Sequence, residues 1–358
     1  MAHDGPGKIV HDRRRVRAQK DAAANIMNST DQTLRDLGWD DHFAAQLTPE
    51  EATQTHAVRV MAVHRGQVEV VGAGVDRLVS PYVQGARPTD DHPTVGDWLL
   101  IADDTLLPVR VLARKNLFKR RAPGDARKEQ MIAANVDTVF IVASCNQDFS
   151  VARLERYLVL AREAGVQAVV VLTKIDLTET PADYVAAIRA IEPDLAIETV
   201  DGREPAQVAR LAGWCGVGQT VAFLGSSGVG KSTLVNSLRG SDSIATQAIR
   251  ANDDTGRHTT TVRRMHRLDH GGWLLDLPGM RELQLSEAAE GIADVFDDFT
   301  LAAADCRFSN CSHGNEPGCA VRAAIEAGTL TRERFDRWRL LAAAESANAA
   351  PVYKRRPR

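Results

Sequence analysis

Residues 220–238, TVAFLGSSGVGKSTLVNSL, constrain this chain more than any other stretch. An apolar run at 221–224 leads into Gly225-Ser226-Ser227-Gly228-Val229-Gly230-Lys231-Ser232, and from Thr233 the pattern becomes that of an amphipathic helix. Strand, glycine loop and helix start, in that order, form the context in which G-x-x-x-x-G-K-[ST] cradles a phosphate. The glycines let backbone N–H groups turn inward, and the positive end of the following helix strengthens the field there. In such a loop Lys231 reaches the β- and γ-phosphates, and the Ser232 hydroxyl is a Mg²⁺ ligand. The chain is therefore expected to bind a nucleoside triphosphate together with Mg²⁺. The competing reading is a glycine-rich turn with an incidental Lys-Ser pair.

A length of 358 residues leaves room for two or three domains, each with its own core. Hydrophobic content of 44% and charged content of 25% are ordinary for a globular protein. The net charge of −3 gives no nucleic-acid signal for the chain as a whole, so any such surface has to be local. Five cysteines, three of them crowded between 306 and 319, do not make a disulfide framework. No apolar run approaches the ~18 residues of a membrane span, and the N-terminus lacks the apolar core of a secretory signal. The expected compartment is the cytoplasm, with no membrane partner.

Residues 1–50 read as a basic, flexible extension, with Lys8, Arg13, Arg14, Arg15, Arg17 and Lys20 near its start. Over 51–120 the texture changes to short β-like runs, at 57–63, 67–71, 77–80, 97–102 and 107–112, punctuated by Gly and Pro. About five short strands in so little chain suggest an OB-type β-barrel. Seven basic residues against the single acid Asp125 follow between 114 and 128. They form either a solvated linker or a patch that contacts RNA phosphates. From 121 to 290 buried strands alternate with helices, the sign of a parallel sheet covered on both faces.

Within that alternation Thr173-Lys174-Ile175-Asp176 ends a strand, where a base-reading loop belongs. A carboxylate at Asp176 can accept both the N1–H and the exocyclic amine of guanine, a pair that adenine does not offer, and Lys174 can lay its stem over the base. A carboxylate left unpaired by adenine is costly, so the discrimination is large. After the glycine loop come Gly256-Arg257-His258-Thr259-Thr260-Thr261 and Asp276-Leu277-Pro278-Gly279, candidate switch segments. Alone, the first reads equally as a strand edge and the second as a tight turn.

The segment Cys306-x₄-Cys311-x-His313-x₅-Cys319 brings three thiols and an imidazole into a short loop. A Cys₃His set suits tetrahedral Zn²⁺ and leaves no open coordination position, so one structural zinc per chain is expected; free thiols are the alternative. Cys145 and Cys215 stand apart and read as packing residues. In the helical stretch 331–346, Phe335, Trp338 and Leu341 fall on one face, as core packing or as a partner contact.

Guanine box, P-loop, switch I and switch II, in that chain order, with a barrel before and a Cys/His cluster after, closely resemble the RsgA/YjeQ family of circularly permuted, small-ribosomal-subunit-dependent GTPases. The resemblance spans about 35–345. It implies a multidomain α/β protein: an N-terminal OB-type barrel, a permuted P-loop GTPase domain with helices on both faces of a parallel sheet, and a zinc-binding helical domain over 291–358. It also implies a monomer that binds the small subunit and its rRNA and assists late maturation. A non-catalytic, GTP-binding RNA module is the alternative. Two departures stand out. Thr173 replaces the commoner Asn, and Thr199-Val200-Asp201-Gly202 stands where a Ser-Ala base contact is expected.

The expected guanine-nucleotide contacts are residues 173–176, the whole loop from Gly225 to Ser232, Thr233, Thr259, Thr260, Asp276 and Gly279. Thr259 or Thr260 should meet Mg²⁺ and the γ-phosphate. Lys231 and His258 are the candidate catalytic residues, His258 as an aid in placing the attacking water. Met280 follows Gly279, where many GTPases carry a water-orienting Gln. An apolar side chain cannot orient water, so slow turnover that rises with a partner is expected.

Overall fold

The computed structural model describes residues 31–83, 92–122, 125–239, 263–276 and 288–349. The chain divides into two compact units, one made of Met1–Pro93 with Asp97–Ala113, the other of Thr94–Gly96 with Arg114–Arg358.

In the first unit, strands β1 (Thr55–His64), β2 (Gln67–Gly72), β3 (Val75–Val79), β4 (Trp98–Ala102) and β5 (Pro108–Val111) are antiparallel, in the order β3-β2-β1-β4-β5. Their period-two alternation puts Val58, Val60, Val68, Val70, Leu99 and Ile101 into one core. At the end of β2 a Cβ on Gly72 would come within 2.5 Å of the Ala57 carbonyl oxygen, so only glycine lets the strands close up there. A β-bulge between Val60 and Ala62 bends the long β1.

Flexible chain is expected up to residue 50, yet 31–50 is ordered. Phe43 is only 1% exposed, and its ring lies 5.7 Å from those of Trp39 and Trp98. Three aromatics supply enough apolar area to hold a segment that composition alone marks as polar. Residues 1–30, with the basic run, lie outside the described residues.

The basic stretch after β5 lies largely in strands. Strands β6 (Leu117–Ala122) and β7 (Asp125–Ala134) pair antiparallel as a two-stranded ribbon of the second unit. Its foot is pinned by buried Phe118, Ile132, Ala133 and Ala134.

The main sheet of the second unit has the order β10-β9-β8-β11-β13-β12. It contains β8 (Thr138–Ser144), β9 (Gln167–Thr173), β10 (Ala196–Thr199), β11 (Thr220–Leu224), β12 (Arg263–Arg267) and β13 (Trp273–Asp276). All neighbours are parallel except β12 against β13. Every residue of β8 and β11 is buried, as near-continuous apolar runs require when helices cover both faces. The strand order reverses between β8 and β11, and a crevice at the carboxyl ends of such a pair is where doubly wound sheets take ligands.

Helices α1 (Val151–Glu163), α2 (Pro181–Arg189) and α3 (Lys231–Leu238) belong to this layer. The Ser150 side chain caps α1 by accepting from the Arg153 N–H, and the chain leaves α1 through Gly165 at φ 67°. Four more helices follow: α4 (Ala289–Val295), α5 (Asp297–Ala304), α6 (Ala320–Glu326) and α7 (Arg332–Ala349). Phe296, Phe299 and Phe335 are buried among them, and Trp338 stacks on Phe299 at 5.8 Å. Phe335 and Trp338 are therefore packing residues of α7. No helix among the described residues is long and apolar enough to cross a membrane.

Candidate nucleotide and metal sites

The glycine loop runs from the carboxyl end of β11 into α3, as the sequence predicts. Two of its glycines are required by geometry. Gly225 has φ 151°, and a Cβ there would sit 2.6 Å from the Val142 carbonyl oxygen on β8. Gly230, the residue before α3, has φ 99°, in the left-handed region that L side chains rarely enter. Lys231 folds across the loop, its Nζ donating to the carbonyls of Gly225 at 2.7 Å and Ser226 at 2.5 Å. An ammonium so held sits over the loop's mouth, where it can meet phosphate oxygens. Ser232 and Thr233 occupy the first turn of α3, beside the N–H groups that no intrahelical partner satisfies.

The guanine box lies at the end of β9, two strands away, yet it touches the loop. Thr173 is buried, and its hydroxyl donates to the Val229 carbonyl at 2.5 Å, with the Ala143 carbonyl at 3.3 Å. A buried hydroxyl replaces the amide of the commoner Asn as the tie between box and P-loop. Lys174 takes a left-handed φ of 54°, which costs an L residue about 1 kcal/mol. That turn swings the chain out of β9 into a short 3₁₀ turn, Ile175–Leu177, which carries Asp176.

Sequence reasoning missed what stands beside Asp176. The Arg203 Nη2 lies 2.8 Å from the Asp176 Oδ2. The same guanidinium forks onto Asp201, Nε to Oδ1 at 3.0 Å and Nη2 to Oδ2 at 2.8 Å. These bonds, with the Arg203 N–H on Asp201 Oδ1, hold the Asp201 carboxyl below its ordinary value, and the Arg203 guanidinium is raised in turn. The loop itself is pinned. The Asp201 N–H donates to Gln207 Oε1 at 2.9 Å, the Ser237 hydroxyl of α3 donates to the Gly202 carbonyl at 3.1 Å, and Arg210 donates to the Thr199 carbonyl. Thr199-Val200-Asp201-Gly202 thus lies between the guanine box and α3, where the Ser-Ala contact was expected.

Asp276 is the last residue of β13, whose Leu275 pairs in register with Ala222 of β11. His258, Thr259, Thr260, Gly279 and Met280 lie outside the described residues.

Far along the chain, Cys306, Cys311, His313 and Cys319 bring their ligand atoms within 4.8 Å of one another. His313 Nδ1 is 3.6 Å from both the Cys306 and the Cys319 sulfurs. His313 has φ 58°, and its ring lies 5.5 Å from Trp338. Burial lowers the imidazole pKa and so favours the neutral form that a metal needs. Burial would raise the Cys306 thiol, but hydrogen bonds from the Val321 and Ala320 backbone and the neighbouring thiols outweigh it and bring it below its usual value. Three sulfurs and one nitrogen converging in this way make a donor set compatible with zinc.

Residues 111–286 match the family model of the RsgA GTPase. A small ribosomal subunit biogenesis GTPase RsgA 2 of Vibrio parahaemolyticus is 46% identical over 329 residues, covering 92% of this chain and 90% of that protein. A small ribosomal subunit biogenesis GTPase RsgA of Mesorhizobium japonicum is 46% identical over 325 residues, covering 89% of this chain and 92% of that protein. The crystal structure of YjeQ from Thermotoga maritima superposes with a TM-score of 0.59 at 25% identity, covering 81% of this chain and 98% of that one. The crystal structure of YloQ, described as a circularly permuted GTPase, gives a TM-score of 0.55 at 22% identity, covering 86% and 100%. With a guanine box on β9 tied to a P-loop that follows it on β11, and relatives this similar over most of its length, the chain belongs to the RsgA family of circularly permuted GTPases.

Proposed function

We propose that this protein is a GTP hydrolase that binds the small ribosomal subunit and assists its late maturation, turning over GTP slowly alone and faster on the subunit. One observation carries the nucleotide reading: the Thr173 hydroxyl on the Val229 carbonyl, which joins a guanine-type box to a P-loop at the carboxyl ends of parallel strands. In this reading residues 225–233 cradle the phosphates, Lys231 neutralises charge on the β- and γ-oxygens, and Ser232 holds Mg²⁺. Asp176 accepts the two guanine N–H groups while Lys174 covers the base, and Ile175 sets the turn between them. Thr259 or Thr260, His258, Asp276 and Gly279 form the switch side, where His258 helps to place the water that Met280 cannot orient.

The five-stranded unit serves as an OB-type barrel on rRNA, in a working division of about 51–120, 121–290 and 291–358. One zinc, held by Cys306, Cys311, His313 and Cys319, stiffens the last of these. The protein acts as a monomer in the cytoplasm. The curated relatives named for small-subunit biogenesis support the partner.

GTP hydrolysis measured with and without purified small subunits tests the reading, with Lys231→Ala as control. Stimulation by subunits that Lys231→Ala abolishes is the expected outcome. Absence of hydrolysis both with and without subunits would favour a non-catalytic RNA module instead, and equal rates would remove the subunit as activator.

A further inference from the structure

We propose that Arg203, clamped by Asp201, is a positioning residue for guanine selection, orienting the Asp176 carboxylate toward the base. The proposal rests on the reading of Asp176 as the base-reading residue and adds to it the group that sets its angle. A carboxylate discriminates guanine only when both oxygens face the N1–H and the exocyclic amine together. A lone surface carboxylate on a 3₁₀ turn rotates freely, and rotation spoils the second contact before the first. The Arg203 donor on Oδ2 removes that freedom. It does not use up the carboxylate, because each carboxylate oxygen offers about two lone-pair sites, leaving room on Oδ2 and all of Oδ1 for the base.

Arg203 can act so only if it is itself fixed. Its side chain is 67% exposed, so packing does not hold it, whereas Asp201 is 13% exposed and does. The two-point fork onto Asp201 sets the guanidinium plane, and the remaining Nη2 hydrogen then points at Asp176. The Asp201 backbone is held in turn by Gln207, and the neighbouring Gly202 carbonyl by the Ser237 hydroxyl of α3, the helix that the P-loop opens. The orientation of the base-reading carboxylate is thereby referred back to the phosphate-binding helix.

The test uses the full chain and displacement of a fluorescent GDP by GTP, ITP and ATP. Inosine keeps N1–H and lacks the exocyclic amine, so the GTP/ITP preference reads the second contact directly. Arg203→Ala is expected to shrink that preference about fivefold, the size of one exposed charge-assisted contact, and Asp201→Asn to do nearly the same. Arg203→Lys, which keeps the charge but cannot fork, should recover little of it. Parallel losses for GTP and ITP with the ratio unchanged would mean a merely structural role and overturn the proposal. Tighter GTP binding in Arg203→Ala would also overturn it, marking Arg203 as a competitor for Asp176. A wild-type protein that does not prefer GTP to ATP would instead sink the guanine reading itself.

Discussion

Two carboxylate–arginine clusters in the second unit use the same chemistry in opposite surroundings. At the end of β9 Arg203 bridges Asp201 and Asp176 in the open, its side chain 67% exposed. On α1, Glu155 is fully buried and accepts from two arginines of α7, Arg334 at 3.2 Å and Arg337 at 2.6 and 3.0 Å. Arg334 also bonds Asp298 and the Val295 carbonyl and lies over the Phe296 ring. Both clusters are held by forks, but water competes only at the first. An exposed pair is worth little, while a buried one cannot lose a member without stranding charge. The open cluster fits a site that must admit and release a nucleotide, and the closed one fixes the C-terminal helices to the nucleotide-binding layer.

That contrast is most easily broken at Glu155. Glu155→Gln strands two guanidinium groups, and about 3 kcal/mol of stability should go, less whatever Asp298 still recovers for Arg334. Denaturant unfolding checks the size, and guanine-nucleotide affinity measured below the transition should barely move. A variant of wild-type stability whose nucleotide affinity fell would reverse the assignment of roles between the two clusters.

Thr173 stands between these extremes, being buried like Glu155 yet part of the nucleotide side. Thr173→Val keeps the shape and deletes the donor that the Val229 carbonyl uses. The loss should be about 1–2 kcal/mol, the cost of an unsatisfied buried acceptor. Because that acceptor belongs to the P-loop, GTP affinity should fall along with stability, whereas Thr173→Ser should keep both. Paired unfolding curves and nucleotide titrations on the two variants separate these outcomes. Lost stability with unchanged affinity would place Thr173 with the structural cluster.

What was legible in the sequence follows the same division between near and far. The P-loop and guanine box are contiguous, and their chemistry is set by neighbours one to seven residues away, so pattern alone finds them. The strands of the first unit announce themselves by alternation, and the Cys₃His loop by thiol crowding. The partners of Asp176 and Glu155 carry no such mark. Arg334 and Glu155 are 179 residues apart, and only the packing of α7 on α1 brings them together. The ribbon at 117–134 was hidden for another reason. Its pinning residues are few among charged neighbours in sequence, so it resembles solvated chain until Phe118 and Ile132 are seen buried. Residues 31–50 were misread because Trp39 and Phe43, counted in a polar average, do not show that they meet Trp98 of β4.

A third pair, in the first unit, falls between the two clusters in solvent access. Arg110 donates from Nε to Glu51 Oε1 at 2.6 Å and from Nη2 to Oε2 at 3.0 Å, the two side chains 34% and 19% exposed. The Arg110 hydrogen bonds, with help from the Thr48 N–H, lower the Glu51 pKa from its ordinary 4.5 to about 2. A carboxyl with a lower pKa in the folded chain binds fewer protons there than when unfolded, so stability rises with pH across that interval. The contribution is complete above about pH 4.5 and drains away as pH falls toward 2. Solvent screening keeps it under about 1 kcal/mol. Glu51→Gln should therefore lower the urea midpoint slightly at pH 6, and the gap to wild type should close as both are titrated toward pH 3. A gap that stayed constant down the acid limb would mean that the Glu51 carboxylate contributes by shape rather than by charge, and the grading of the three pairs by solvent access would fail at its middle step.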